Sequence, residues 1–211
     1  MDISVIHPSR NRPDKAYECF LEWSKKSNTE FEYILSLDTD EPQKQKYCEL
    51  FHNQKIIFGN NSNVVEAMNN GASNSTGDIL VCISDDFGCS EGWDSYILAQ
   101  LDKDKEQALI VNDGHKECLM MTIPILTKKL YNKLGYVYHP SFTGMFADNA
   151  LAEICDKMGV LVKNRDLEFP HRHWLYGHYT ADSTNKRHDN PEGWRIGQKV
   201  IKKLRDSNYG L

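Results

Sequence analysis

Residues 63–93 read NVVEAMNNGASNSTGDILVCISDDFGCSEGW, and the run Ile79-Leu80-Val81-Cys82-Ile83 inside them decides the fold. A continuously apolar run of this length, rich in β-branched residues and followed by a turn, suits a strand buried on both faces of a mainly parallel sheet, although periodicity alone leaves a helix open. Before it, Asn63 is placed to cap a helix whose Val64, Val65, Met68 and Ala72 fall on one stripe, and Gly77-Asp78 supplies the turn that closes it. Two adjacent carboxylates, Asp85 and Asp86, follow the strand at the end where open α/β sheets bind ligands. Hard divalent cations such as Mn²⁺ and Mg²⁺ take oxygen ligands, commonly one or two carboxylates together with substrate phosphate oxygens. The pair therefore points to a metal and, through it, to a phosphorylated substrate; turn chemistry or a helix cap is the plainer alternative.

On the N-terminal side, Ile3-Ser4-Val5-Ile6 predicts a strand that stops at His7-Pro8. Asn11 and Pro13 then open a helix with Ala16, Tyr17, Phe20 and Leu21 at helical spacing. Residues 31–37 (FEYILSL) and 55–58 (KIIF) predict two more strands, each followed by a polar loop. On the C-terminal side the pattern predicts helix at 93–101, strands at 108–111 and 118–123, helices at 126–134 and 147–158, and short strands at 160–162 and 167–169. Residues 171–190, with His171, His173, His178 and His188, have little periodicity and predict a long loop of the kind that forms lids. Asp189 or Asn190 before Pro191 starts a last helix, with Trp194, Val200, Ile201 and Leu204 as its apolar side. The first half alternates βαβαβ with right-handed crossovers expected, and the second half is mixed.

The chain of 211 residues suits one α/β domain and is short for two. Hydrophobic residues at 40% and charged residues at 26% exclude a disordered chain, and the net charge of −5 excludes the basic field that gathers nucleic acid. No apolar run approaches the roughly 20 residues needed to cross a bilayer, and Met1 leads straight into DISVIHP, so a protein that is cytoplasmic, or at most peripheral to a membrane, is expected. Cys19, Cys48, Cys82, Cys89, Cys118 and Cys155 form no C-x-x-C pair and are expected as free thiols. A P-loop and a G-x-G-x-x-G fingerprint are both missing, which leaves P-loop hydrolysis and dinucleotide redox chemistry unsupported.

Residues 63–93 resemble the central segment of family 2 glycosyltransferases of the GT-A type. There a helix with an A-x-N-x-G pattern leads through a Gly-acid turn into an apolar strand that ends in Asp-x-Asp, and a Gly-Trp follows. Ala67, Asn69 or Asn70, Gly71, Gly77-Asp78, the ILVCI strand and Gly92-Trp93 match in order, while Ser84 replaces the first Asp of the motif. The resemblance implies a nucleotide-sugar donor and a Mn²⁺ or Mg²⁺ ion, with Asp86 at the position that binds the metal most directly and Asp85 on the sugar or ribose. His7-Pro8-Ser9-Arg10-Asn11-Arg12-Pro13 looks like the P-x-R-N-R-P loop that lies along the nucleotide in such enzymes. Pro8, Arg10, Arg12 and Asn63 are accordingly expected at the nucleotide-sugar, although both arginines can also be solvated loop charges. Asp38 matches the residue that hydrogen-bonds the base, with Asp40 behind it.

Thr143 to Leu151 resembles the family's Glu-Asp motif at a helix start; Ala147 replaces the Glu, and Asp148 stands at the catalytic base or serves as the helix N-cap. Phe169 to Trp174 looks like the segment that supplies a further metal ligand in many GT-A enzymes, placing His171 ahead of His173; a His-rich surface loop is the alternative. The implied organisation is one GT-A domain over 1–211, with a nucleotide half at about 1–115, an acceptor side at about 116–174 and a loop plus helix at 175–211. The implied reaction moves a sugar, UDP-linked by preference, onto a glycan, lipid, protein or small-molecule hydroxyl with inversion. Two rivals remain. One is a sugar-phosphate nucleotidyltransferase, whose Gly-rich G-x-G-x-R loop has no counterpart in HPSRNRP; the other is a degenerate domain that binds without turnover.

Overall fold

A computed structural model describes residues 1–114, 119–188 and 190–211. The strands are β1 (Ile3–Pro8), β2 (Glu32–Asp38), β3 (Lys55–Gly59), β4 (Ile79–Cys82), β5 (Ala108–Asn112), β6 (Ile125–Thr127) and β7 (Leu161–Glu168). The helices are α1 (Pro13–Lys25), α2 (Lys44–Leu50), α3 (Val64–Ser73), α4 (Trp93–Gln100), α5 (Lys128–Leu134), α6 (Ala147–Lys157), α7 (Ser183–His188) and α8 (Pro191–Asp206). The strands form one seven-stranded sheet in the order β3-β2-β1-β4-β6-β5-β7. β6 runs antiparallel to both its neighbours, β4 and β5, and the other pairings are parallel.

The central strands are apolar throughout because both of their faces are covered. Ile79 and Val81 of β4 pack with Trp23 of α1 and with Trp93 and Ile97 of α4, whereas Leu80 and Cys82 pack with Met68 of α3, Leu130 of α5 and Leu151 of α6. The period-two alternation of a strand thus builds a separate core on each face of the sheet. β1, β2 and β4 end on the same edge, and that edge delivers Pro8, Asp38 and the Ser84-Asp85-Asp86 turn to one place.

The glycine of the A-x-N-x-G pattern has a steric reason. A Cβ on Gly71 would lie 2.6 Å from Ile6 Cγ2 and 3.2 Å from Ser36 Cβ, so α3 sits this close to β1 and β2 only without a side chain there. Gly92 takes a left-handed φ of 69° at the start of α4, which buries Trp93 against Trp23, and Trp23 Nε1 in turn donates to Phe87 O at 3.0 Å. The Gly-Trp pair therefore fixes the chain just beyond Asp86.

Several expectations need correction. Among the described residues 119–123 there is no strand, and Cys118 lies outside the described residues. The strand is β6, at the point where helix was expected from Leu126; Thr127 accepts from Leu130 N as the N-cap of α5 and so delays that helix by two residues. α2 was read as loop because it buries only Tyr47, too little for a periodic signal. The two short strands at 160–162 and 167–169 are one strand, β7, with a register shift opposite Ile110 and Asn112. The expected loop at 171–190 contains a 3₁₀ turn at Trp174–Tyr176 and α7. Asn190 caps α8 by accepting from Gly193 N, and Asp189 lies outside the described residues. Cys19, Cys48, Cys82, Cys89 and Cys155 are free thiols.

Gly71→Val is expected to cost about 1–3 kcal/mol through overpacking against Ile6 and Ser36, which outweighs the few tenths gained in helix propensity. Urea unfolding checks it, and an unchanged midpoint would contradict the close approach of α3 to the sheet.

Candidate active site

The two carboxylates after β4 have different surroundings. The Asp85 side chain is 5% exposed and is held by the end of β1 and the loop after it: His7 Nε2 lies 3.0 Å from Oδ1, Ser9 Oγ donates to Oδ1 at 2.6 Å, and Arg12 Nη1 reaches Oδ2 at 3.4 Å. His7 is fully buried, with Tyr33 Oη on its other ring nitrogen. Tyr47 Oη braces the loop by bonding Ser9 Oγ at 2.7 Å and accepting from Arg12 N at 3.0 Å.

Asp86 faces the cleft. The Ser84 hydroxyl donates to Asp86 Oδ1 at 2.6 Å, so the residue that replaces the first Asp of the motif orients the second. Residues 170–173 run antiparallel beside 86–88, with Phe87 bridged to His171, Arg172 N donating to Asp86 O at 2.8 Å and Gly88 N to Pro170 O at 2.9 Å. In an extended segment positions i and i+2 share a face. His171 and His173 accordingly turn toward Asp86, and Arg172 between them turns away to Glu22 at 2.7 and 2.8 Å.

One ligand atom from each of Asp86, His171 and His173 lies within 4.8 Å of the others, and His171 Nε2 is 3.5 Å from Asp86 Oδ2. A carboxylate with two imidazoles suits a first-row divalent ion such as Mn²⁺ and is less suited to the all-oxygen preference of Mg²⁺. Burial pushes the Asp86 carboxyl up, but the facing His171, the Ser84 hydroxyl and His173 outweigh it and hold the group well below the ordinary carboxylate range.

At the other end of the cleft Arg10 forks across two carboxylates, 2.5 Å from Asp38 Oδ2 and 2.6 Å from Asp40 Oδ1. Asn61 Nδ2 donates to Asp38 Oδ1 at 3.2 Å. Asn63 caps α3 as expected, accepting from Glu66 N at 3.0 Å. Asp148 corrects one alternative: the N-cap of α6 is Phe146, with a left-handed φ of 70°, and Asp148 is the second residue of the helix. Its Oδ1 accepts from Asn149 N at 2.9 Å, and desolvation raises its carboxyl above the ordinary aspartate value.

Pro8, Arg10, Arg12, Asp38, Asn63, Asp85, Asp86, Asp148, His171 and His173 all line one cleft. Thr184, Asn185 and Arg187 of α7 line it too, and sequence reasoning missed them. Asp182, which accepts from Thr184 N at 2.9 Å and Asn185 N at 3.0 Å, is the signal that could have found α7, since an Asp before Ser-Thr-Asn is a helix-start pattern.

Among solved structures, S. aureus TarS in complex with UDP matches at a TM-score of 0.65 and 15% identity, covering 80% of this chain and 59% of that one. The mannosyltransferase PcManGT from Pyrobaculum calidifontis, in complex with GDP-Man and Mn²⁺, matches at 0.59 and 11%, covering 98% and 75%. Glucosyl-3-phosphoglycerate synthase from Mycobacterium tuberculosis, in complex with Mn²⁺, UDP and phosphoglyceric acid, matches at 0.56 and 13%, covering 83% and 74%. At these identities the likeness is one of fold, the GT-A fold, and the chain spans 59% of the length of the TarS chain. No curated protein sequence matches it. Among the described residues no helix is long and apolar enough to cross a membrane. The family model of Glycosyl transferase family 2 matches residues 4–138, more than half of the chain and the whole stretch from β1 past the Asp85-Asp86 turn. The chain therefore belongs to glycosyl transferase family 2.

Proposed function

We propose that the chain transfers a sugar from a nucleotide-sugar, UDP-linked by preference and GDP-linked second, to the hydroxyl of a glycan, lipid, protein or small-molecule acceptor, with inversion at the anomeric carbon. The observation that carries the reading is the convergence of Asp86, His171, His173 and Asp148 on one cleft at the carboxyl ends of parallel strands. Structures of the same fold bound to UDP, GDP-Man and Mn²⁺ support it. In this reading residues 1–211 form one domain, with the nucleotide side at about 1–115, the acceptor side at about 116–174 and the covering segment at 175–211. A cytoplasmic location belongs to the same proposal.

Asp86, His171 and His173 would hold the divalent ion, Mn²⁺ ahead of Mg²⁺, and such an ion when bound neutralises a diphosphate and stabilises its departure. Asp38 would accept the N3 hydrogen of uracil, and guanine also offers donors. Pro8, Asn63 and the arginines at 10 and 12 would flank the nucleotide, with Asp85 holding their loop. Asp148 would take the proton of the acceptor hydroxyl as its oxygen bonds to the anomeric carbon and the electron pair of the breaking C–O bond leaves with the diphosphate. A carboxyl raised toward the working pH is a stronger base than an ordinary aspartate, and it acts only when ionised.

Asp86→Ala or His171→Ala is expected to abolish the Mn²⁺-dependent part of UDP binding in calorimetry. UDP binding that is equally tight in excess chelator would remove the metal from the reading.

Asp148→Asn is expected to lower kcat by about 10²–10⁴ while donor affinity stays nearly unchanged, because the group acts on the acceptor. Turnover in the wild type should fall as pH drops through the Asp148 pKa, on an acid limb displaced upward from that of a free aspartate, and the variant should lose that limb. A product that keeps the donor's anomeric configuration would refute the inverting role.

A further inference from the structure

Four of the contacts that residues 179–187 make across the cleft reach groups that the proposed function gives to the donor or its cation. Tyr179 Oη lies 3.3 Å from Asp86 Oδ2, the same oxygen that faces His171 Nε2. Asp182 forks onto the guanidinium of Arg12, accepting from Nε at 2.7 Å and from Nη2 at 2.6 Å. Thr184 Oγ1 donates to Arg10 O at 3.0 Å, and Arg187 Nη1 lies 3.8 Å from Asp38 Oδ2. These contacts fall on the metal, phosphate and base positions in turn.

Two of them have the chemistry of substitutes. A carboxylate that takes both hydrogens of a guanidinium fork uses the geometry a phosphate would use. A hydroxyl proton aimed at Asp86 Oδ2 is repelled by a cation on that carboxylate, so the two exclude each other. The substitutes are also joined to each other: Asn185, which is buried, receives a bond from Asp182 N at 3.1 Å and donates to Tyr179 Oη at 3.3 Å. Two cations lie over the Tyr179 ring, Lys15 Nζ 3.4 Å and Arg12 Cζ 5.9 Å from its centroid. Displacing one substitute therefore loosens the other. The Asp182 side chain is 35% exposed, within reach of water and of a competing anion; burial pushes its carboxyl up, but the Arg12 guanidinium and the Asn185 N–H outweigh it and hold the group at about 2.

We infer that residues 179–187 form a strap that occupies the donor site, Tyr179 standing at the cation's place and Asp182 at a phosphate's, and that a nucleoside diphosphate enters with its cation by displacing the strap. The inference rests on the donor reading given above. It makes the strap a competitor of the donor, so the apparent affinity for UDP is the intrinsic affinity reduced by the fraction of molecules whose strap is open.

The test is calorimetry of UDP with Mn²⁺ on the wild type, Asp182→Asn and Tyr179→Phe, with thermal unfolding to show that all three are folded, and hydrogen exchange across residues 177–188 with and without UDP–Mn²⁺. Each variant is expected to bind UDP about 3- to 10-fold more tightly, because removing a competing contact raises the open fraction, and exchange in the strap of the wild type is expected to rise on binding. Weaker binding in the variants together with slower exchange would make the segment a lid that closes on the donor and would overturn the inference. Equal affinities in all three would overturn it as well and leave the donor reading standing. Binding by none of the three would remove the donor reading and the strap together.

Discussion

The site depends on one buried charge. Asp85 sits at the end of β4 with a side chain only 5% exposed, and a carboxylate taken that far out of water is tolerated only when its oxygens are paired. Its partners are His7 at the end of β1 and Ser9 and Arg12 from the loop that follows, so satisfying the charge gives that loop one position. Tyr33 and Tyr47 then hold the partners from β2 and α2. With Asp85 committed inward, Asp86 is the carboxylate left to the cleft, and Ser84 aims it there.

This explains how the departure from the Asp-x-Asp pattern is accommodated. A hydroxyl in place of the first carboxylate removes one negative charge beside Asp86 and adds a hydrogen-bond donor to it. The second imidazole, His173, adds a nitrogen ligand atom to the cluster without adding negative charge. The group of three thus keeps its coordinating atoms while carrying one formal negative charge, a balance that favours borderline ions over hard ones.

The parts of the molecule legible in the sequence are those whose constraint is local or repeats. The Ile79–Ile83 run announced a strand covered on both faces and Asn63 announced a helix cap that the structure contains, whereas Gly71 and Gly92 stood out only as members of a family pattern and their steric reasons lie in the packing. The order Asp85-Asp86 announced two carboxylates but not which one turns inward, because that choice is made by His7, 78 residues away in the chain. α2 and β6 were missed for a related reason: one buries a single side chain and the other is three residues long, too little for a period to form. The segment from 179 to 187 was read as loop because its order comes from ion pairs and single hydrogen bonds to residues as far as 174 positions away, which impose no spacing on the sequence.

The arginines of the cleft show what kind of anion it can accept. Arg10 is matched by Asp38 and Asp40, Arg12 by Asp85 and Asp182, and Arg187 lies near Asp38. In a chain whose net charge is already −5, these cations are locally balanced, and the cleft presents no net positive field to a bare diphosphate. An anion arriving alone would face the carboxylates of Asp38 and Asp86, whose repulsion at short range opposes what a shared arginine returns. In the proposed function an anion that brought a divalent ion would change that balance, because Asp86 and the imidazoles would hold the ion while it neutralised the phosphates. The same carboxylates that hold the arginines in place would thereby select for a ligand that is nearly neutral as it enters, through the fold's own salt bridges and without a dedicated phosphate loop.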